Sequence, residues 1–357
     1  FGSSRCGSSL PWSQPCPRAR PCTVSARRVS GTLPTPVPLQ AMDELINSSY
    51  APWNWGQDFD VGPRQAWWSE HEEYPMLTVG LYLCIVFNGP KVMSEHPLGP
   101  RARQALKCLF VVWNLGLSAF SWIGLYTVVP HLLKSMNGHG FFYTVCTPPS
   151  EWYTKGKVGF WLEMFILSKF PELLDTVFLV LQNKRVIFLH WYHHVTVLLF
   201  CWQAYIRDAG PGLWYCSMNY SVHAFMYLYY AGMAVPATRK LVSPWSIFIT
   251  TAQIMQMVVG AFVTMSAAWW WVKGRDCHLR QSTCCLGVVM YLSYFSLFVA
   301  LFVDKYCGRC KPCGGNDPCM GEVSSDSAGM FRGSASAGRA LASGSHAAES
   351  NGKAKSM

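Results

Sequence analysis

The sequence predicts an all-helical membrane protein with seven spanning helices, on three observations. The 357 residues are 51% hydrophobic and only 13% charged, against about 25% charged in an ordinary soluble domain. Seven apolar runs follow one another with short polar joints, at about 76–93, 105–129, 158–181, 187–206, 214–234, 245–272 and 284–304. Each approaches the roughly 17–25 residues that a spanning helix needs. Finally, the ionisable and amide side chains inside these runs are gathered into four consecutive ones, where isolated helices of a soluble core would not place them.

Taken in order, residues 1–41 hold Arg5, Arg18, Arg20, Arg27 and Arg28, no acid and no Met. Two readings fit: leader sequence ahead of a start at Met42, which we favour, or an Arg- and Ser-rich targeting segment. Residues 42–74 form an N-terminal segment carrying the glycosylation pattern Asn47-Ser48-Ser49, usable only in a lumenal compartment. The seven runs occupy residues 75–306. The first is the weakest, since Asn88, Gly89 and Pro90 interrupt it, and the sixth is long enough to tilt. Residues 307–357 are dominated by Gly, Ser and Ala, which cannot bury a core, so a disordered tail is expected.

An odd number of spans puts the termini on opposite sides. Lys and Arg near span ends favour the cytosol. With the N-terminus lumenal, the cytosolic joints carry Lys91, Arg101, Arg103, Lys107, Lys184, Arg185, Arg239, Lys240, Lys305, Arg309 and Lys311. The lumenal joints carry fewer: Lys134, Lys155, Lys157, Arg207, Lys273, Arg275 and Arg280. Cys146 and Cys277 then both fall in lumenal joints, where a disulfide is permitted. The C-terminal Lys353-Ala354-Lys355 is similar to a dilysine retrieval signal, read from the cytosol. The endoplasmic reticulum is the membrane these features indicate, and no nucleic-acid partner is expected. Of the 15 Cys, Cys307, Cys310, Cys313 and Cys319 cluster beyond the last span; a zinc site, acylation and a functionless tail all remain open for them.

Ionisable groups inside a bilayer are costly and mark functional sites by default. The third run holds Lys169, Glu172, Asp175 and Thr176; the fourth His190, His193 and His194; the fifth Asn219, His223, Met226 and Tyr227; the sixth Thr250, Gln253 and Gln256. Residues three or four apart share a helix face, so each set forms a stripe. Turning all four stripes toward one interior cavity hides them from lipid. A hydrogen-bond network that merely holds helices together is the plainer reading, but four His with Lys, Glu and Asp exceed what packing needs.

The three His of the fourth run could bind metal. A di-iron centre of the membrane desaturase kind is undersupplied by the four intramembrane His; a single zinc stays open, as does a seven-helix receptor or transporter. Alternatively, a neutral imidazole attacks a thioester and carries the acyl group. No Cys stands beside the His cluster, since Cys201 lies two turns beyond His194.

Together the four blocks resemble the family that elongates very-long-chain fatty acids. Lys169, Glu172, Asp175 and Thr176 match its Lys–Glu–Asp-Thr pattern; Leu189, His190, His193 and His194 match its histidine box. Asn219, His223, Met226 and Tyr227, then Thr250, Gln253 and Gln256, match the two remaining blocks. The likeness covers about residues 70–306. It implies a seven-helix protein with six helices forming an inverted barrel around an acyl tunnel. It implies condensation of fatty acyl-CoA with malonyl-CoA to 3-oxoacyl-CoA, CoA and carbon dioxide, with malonyl-CoA as co-substrate and no bound cofactor. The route implied is ping-pong, with His193 as nucleophile, His223 and Asn219 stabilising oxyanions, and His190 and His194 moving protons. Lys169 would attract the malonyl carboxylate, with Glu172 and Asp175 holding Lys169 and the His tautomers or serving as struts. Tyr227, Gln253 and Gln256 would line the substrate site, and Lys184 and Arg185 would meet CoA phosphates. Trp191-Tyr192 resembles the branch that acts on saturated and monounsaturated chains near palmitate length. The implied partners are membrane lipid and the 3-ketoacyl-CoA reductase, 3-hydroxyacyl-CoA dehydratase and enoyl-CoA reductase that complete the cycle; a homodimer stays open.

Overall fold

The computed structural model describes residues 55–307. Asn47, Lys353, Lys355, Cys310, Cys313, Cys319 and the 1–41 segment lie outside the described residues. Within them every regular element is helical, with one isolated bridge between Asp60 and Lys155. The α-helices are α1 (Gly62–Glu70), α2 (Glu73–Glu95), α3 (Pro100–Cys146), α4 (Gly156–Glu172), α5 (Leu174–Leu181), α6 (Phe188–Ile206), α7 (Gly212–Ala234), α8 (Pro236–Val242), α9 (Ser246–Val272) and α10 (Gln281–Phe302).

Four helical stretches are long and apolar enough to cross a membrane: Glu73–Glu95, Pro100–Cys146, Pro236–Val272 and Gln281–Cys307. α6 and α7 have the length but are not among these four; they carry the His and Asn stripes. The third apolar run is not one helix. Pro171 offers no N–H and crowds the preceding turn, so the chain breaks at Leu173 between α4 and α5. Pro90, expected to weaken the first run, sits inside an unbroken α2. The second run extends far past residue 129, through α3 to Cys146, interrupted only at Gly140, whose φ of 85° is open to glycine.

Helix ends follow local chemistry. α3 and α8 begin at Pro100 and Pro236, where the missing N–H would be unsatisfied anyway. Val235 before the second proline is extended, which terminates α7. α5, α6 and α10's neighbour α9 end alike, at Asn183, Asp208 and Gly274, with φ of 54°, 53° and 69°. At each, the next amide reaches back to a carbonyl of the last turn, Lys184 to Leu179, Ala209 to Ala204 and Arg275 to Trp270. This closure satisfies carbonyls a helix end otherwise orphans.

Contacts run in a ring, α6 to α4 to α3 to α7 to α9 to α10 and back to α6, with α2 packed on α5 and α6. Two close approaches tighten it: a Cβ at Gly124 would strike the Tyr220 ring, and one at Gly260 would strike Tyr291. Outward faces are apolar, with Leu77, Leu81, Val112, Phe248, Phe262 and Val289 all exposed. So many exposed large apolar side chains suit a surface that faces lipid. Three charged side chains are buried inside, Glu163, Lys169 and Glu172.

α1 caps one end. Trp68 packs on Trp202 at 4.6 Å between ring centroids, and Gln65 Nε2 donates to the Tyr205 carbonyl at 2.6 Å. Arg64 Nε donates to the buried Glu163 carboxylate at 2.6 Å, and the Tyr205 hydroxyl donates to its other oxygen at 2.8 Å. The hydrogen bond to Glu163 raises the Arg64 guanidinium above its ordinary value. At the same end Cys146 and Cys277 are bonded to each other. Burial pushes the nearby Asp208 carboxyl up, opposed by His278 at 3.4 Å.

Breaking a buried ion pair on one side costs about 3–5 kcal/mol. Arg64 is half exposed, with 51% of its side-chain surface open, so Arg64→Leu is expected to cost less, about 1–3 kcal/mol. Thermal unfolding in detergent should show this, and Arg64→Leu/Glu163→Leu should recover part of the loss. A double variant no more stable than the single one would remove the pair from the account.

Candidate active site

The four polar stripes meet. α6 begins after extended Ile187, and its 3.6-residue period stacks His190 and His194, with ring centroids 4.6 Å apart. His193 lies edge-on to His194 at 5.6 Å. These three rings line one cavity of about 760 Å³, together with Glu172, Asp175, Asn219, His223, Tyr227, Gln253 and Gln256. Apolar wall is supplied by Leu189, Val222, Met226, Met257, Phe298 and Leu301. Six helices, α4 and α5 on either side of the break together with α6, α7, α9 and α10, therefore contribute to one space.

A chain of bonds fixes orientations within it. Lys169 Nζ donates to Glu172 Oε1 at 2.7 Å and to Asn219 Oδ1 at 3.0 Å, and sits 4.2 Å from the Phe165 ring centroid. An ammonium only donates, so the Asn219 oxygen must face Lys169. Its amide nitrogen then donates to His223 Nε2 at 3.1 Å, which leaves the His223 proton on Nδ1. Ser168 donates to Glu172 at 2.8 Å. A second chain joins the Tyr82 hydroxyl, Thr176 Oγ1 and His190 Nε2, each step 2.8 Å. The His193 ring has no hydrogen bond to another side chain or to backbone among the described residues.

Some placements depart from expectation. Lys169 is spent on Glu172, Asn219 and Phe165 and is absent from the cavity lining. Asp175 accepts from Trp113 Nε1 at 2.7 Å and from the Tyr227 hydroxyl at 3.0 Å, tying α5 to α3 and α7. It holds neither Lys169 nor a His; Thr176 is the residue that meets His190. Gln253 donates to Met226 Sδ at 3.2 Å, while its Oε1 is buried without a partner. Thr250 caps Ser246. Lys184 and Arg185 lie in the α5–α6 joint, outside the lining. Burial lowers Lys184, and the like charges of Arg239 and Lys107 add to this, so three elements bring cations together there. Among the described residues no three His, Cys, Asp or Glu side chains are arranged to hold a metal ion.

Sequence reasoning passed over Glu163, a fully buried carboxylate in the third run. Its charge inside an apolar run was the available signal, but its partner lies in the segment before the runs. A second cavity of about 480 Å³ was also not localised. Tyr153, Leu162, Phe165, Ile166, Phe200, Cys201, Ala204, Tyr205 and Tyr215 line it, with Gln65 and Asp208 at its polar edge. It shares α6 and α7 with the first cavity, displaced toward α1.

Residues 67–312 match the model of the GNS1/SUR4 family. Fatty acid elongase 3 of Trypanosoma brucei brucei is 43% identical over 267 residues, covering 67% of this chain and 86% of that protein. Fatty acid elongase 1 of Trypanosoma cruzi is 43% identical over 244 residues, 64% of this chain and 84% of the relative. Very long chain fatty acid elongase 4 of the same species is 43% identical over 236 residues, 66% and 80%. The chain belongs to the GNS1/SUR4 family of fatty acid elongation.

Proposed function

We propose that this chain is the condensing enzyme of fatty acid elongation. It joins a long-chain acyl-CoA to malonyl-CoA within a seven-span bundle of the endoplasmic reticulum membrane, N-terminus lumenal and C-terminus cytosolic. The apolar outer faces and the ring of contacts support the bundle. The chemistry is carried by one observation: His190, His193, His194 and His223 line a single cavity, and among the described residues neither His193 nor His194 has a hydrogen-bond partner, His194 being the more deeply buried of the two. A nucleophile needs an available lone pair, whereas His190 is held by Thr176 and His223 by Asn219.

His193 attacks the thioester carbonyl, the C–S bond breaks, and CoA leaves as the thiol with the imidazole proton. An acyl-imidazole remains. Malonyl-CoA then loses carbon dioxide, and the resulting enolate carbon attacks the acyl carbon. The C–N bond breaks, 3-oxoacyl-CoA departs, and His193 regains a proton. Asn219 and the Nδ1–H of His223 supply donors for the oxyanions, the preorganised kind of stabilisation that dominates acyl transfer. The tail of the acyl group extends toward the second cavity. Ala204 lies eleven residues past His193, about 16 Å along α6 at 1.5 Å per residue. That reach, with Trp191-Tyr192, supports saturated and monounsaturated substrates near palmitate length. The cations around Lys184 suit CoA phosphates.

With labelled palmitoyl-CoA and no malonyl-CoA, the wild type is expected to retain label covalently. His193→Ala should retain none and lose condensation by at least about 10³-fold, with expression unchanged. A full rate in that variant would remove His193 as the nucleophile. Filling the second cavity with Ala204→Phe should shift products to shorter chains while shorter substrates still react; an unchanged profile puts the tail elsewhere. Lys184→Glu should raise KM for both CoA substrates about 3–10-fold with kcat retained, an effect that shrinks in high salt. An unaltered KM would free Lys184 from that role.

A further inference from the structure

The His193 ring points into the cavity without a hydrogen bond to hold it, so packing must set its direction. Two rings touch it. His194, on the same helix, stands edge-on. Tyr294, from α10, lies 4.9 Å away at an interplanar angle of 44°. The Tyr294 hydroxyl is 2.5 Å from Thr196 Oγ1 and 3.2 Å from the His193 carbonyl. Thr196 gives its own proton to the Tyr192 carbonyl at 2.7 Å. The single Tyr294 proton is therefore shared between Thr196 Oγ1 and the carbonyl of the residue that bears the reactive ring. The residue before it repeats the tie: the Tyr192 hydroxyl and Ser293 Oγ are 3.0 Å apart, and the Tyr192 and Tyr294 rings meet edge to face at 5.9 Å. Two consecutive residues of α10 thus clamp one turn of α6.

We propose that Tyr294 is the positioning residue for His193, fixing through its hydroxyl the backbone, and through its ring the rotamer, from which the imidazole attacks the acyl carbonyl. The inference rests on His193 being the nucleophile. Tyr294 is 2% exposed and is not among the residues lining the cavity, so it touches His193 and not substrate. Its effect belongs to the acyl-transfer step, where a misplacement of about 1 Å costs on the order of 10²-fold. A tyrosine that merely packed α10 on α6 would alter stability and leave the rate per folded molecule alone.

The test is single-turnover acylation by palmitoyl-CoA without malonyl-CoA, with melting temperature in parallel. Tyr294→Phe keeps the ring and removes the hydroxyl. It should slow acylation about 10-fold, with KM for palmitoyl-CoA unchanged. Thr196→Val removes the partner hydroxyl and should slow the same step; the double variant should be no slower than the slower single one, because the two groups act as a unit. Tyr294→Phe acylating at the wild-type rate overturns the inference, as do rate losses that multiply in the double variant or a loss confined to melting temperature. If the wild type itself forms no acyl-protein, the nucleophile assignment fails and takes this inference with it, an outcome visible before any variant is compared.

Discussion

Lys169 governs the arrangement of this protein. An unpaired Lys at the centre of a spanning helix costs about 2.5–3.5 kcal/mol even on the mildest scale. Hydrogen bonds to charged groups contribute about 1.5–3 kcal/mol each, and a desolvated ammonium over an aromatic face about 2 kcal/mol. Glu172, Asn219 and Phe165 together therefore offset the burial. Satisfying Lys169 forces α4 against α7 at Asn219. That contact orients the Asn219 amide, and the amide selects the His223 tautomer. One buried cation thus sets a proton position two residues away in the hydrogen-bond chain.

The break at Leu173 is the second constraint. A straight helix through residues 158–181 would keep Lys169, Glu172 and Thr176 on one stripe. Pro171 divides the stripe between two helices, and the divided parts serve different partners. Glu172 remains with Lys169, whereas Thr176 turns to Tyr82 and His190, and Asp175 binds Trp113 and Tyr227. Across this interruption a short sequence reaches α2, α3, α6 and α7 at once.

Helical period and the cost of polar groups in lipid made much of this readable beforehand. The positions of the apolar runs, and the meeting of the His, Asn and Gln stripes in one cavity, follow from those two rules. Partners across helices do not, because nothing local marks them. Trp113, Tyr82 and Tyr294 look like ordinary aromatic residues of apolar runs until the fold brings their polar atoms to Asp175, Thr176 and the His193 carbonyl. Lys169 was legible as a buried charge, but its commitment to Asn219 depends on how closely α4 and α7 approach. Arg64 and Glu163 are 99 residues apart, and only the docking of α1 joins them.

The distribution of thiols and imidazoles shows why the chemistry would fall to His. Cys201 lines the apolar second cavity and Cys216 is fully buried, whereas the polar cavity holds imidazoles. A thiol is an effective nucleophile as the thiolate and needs an electropositive setting to form one. Among the described residues the one deeply buried cation near them, Lys169, is already paired with Glu172. Forming a thiolate would place a new uncompensated charge in a water-poor interior, at a cost of several kcal/mol. A neutral imidazole reacts without first becoming charged, so the same enclosure that penalises a Cys leaves a His usable. On the proposed chemistry, what the protein must then supply is direction more than ionisation, and the Tyr294 contacts are the ones that would give it to His193.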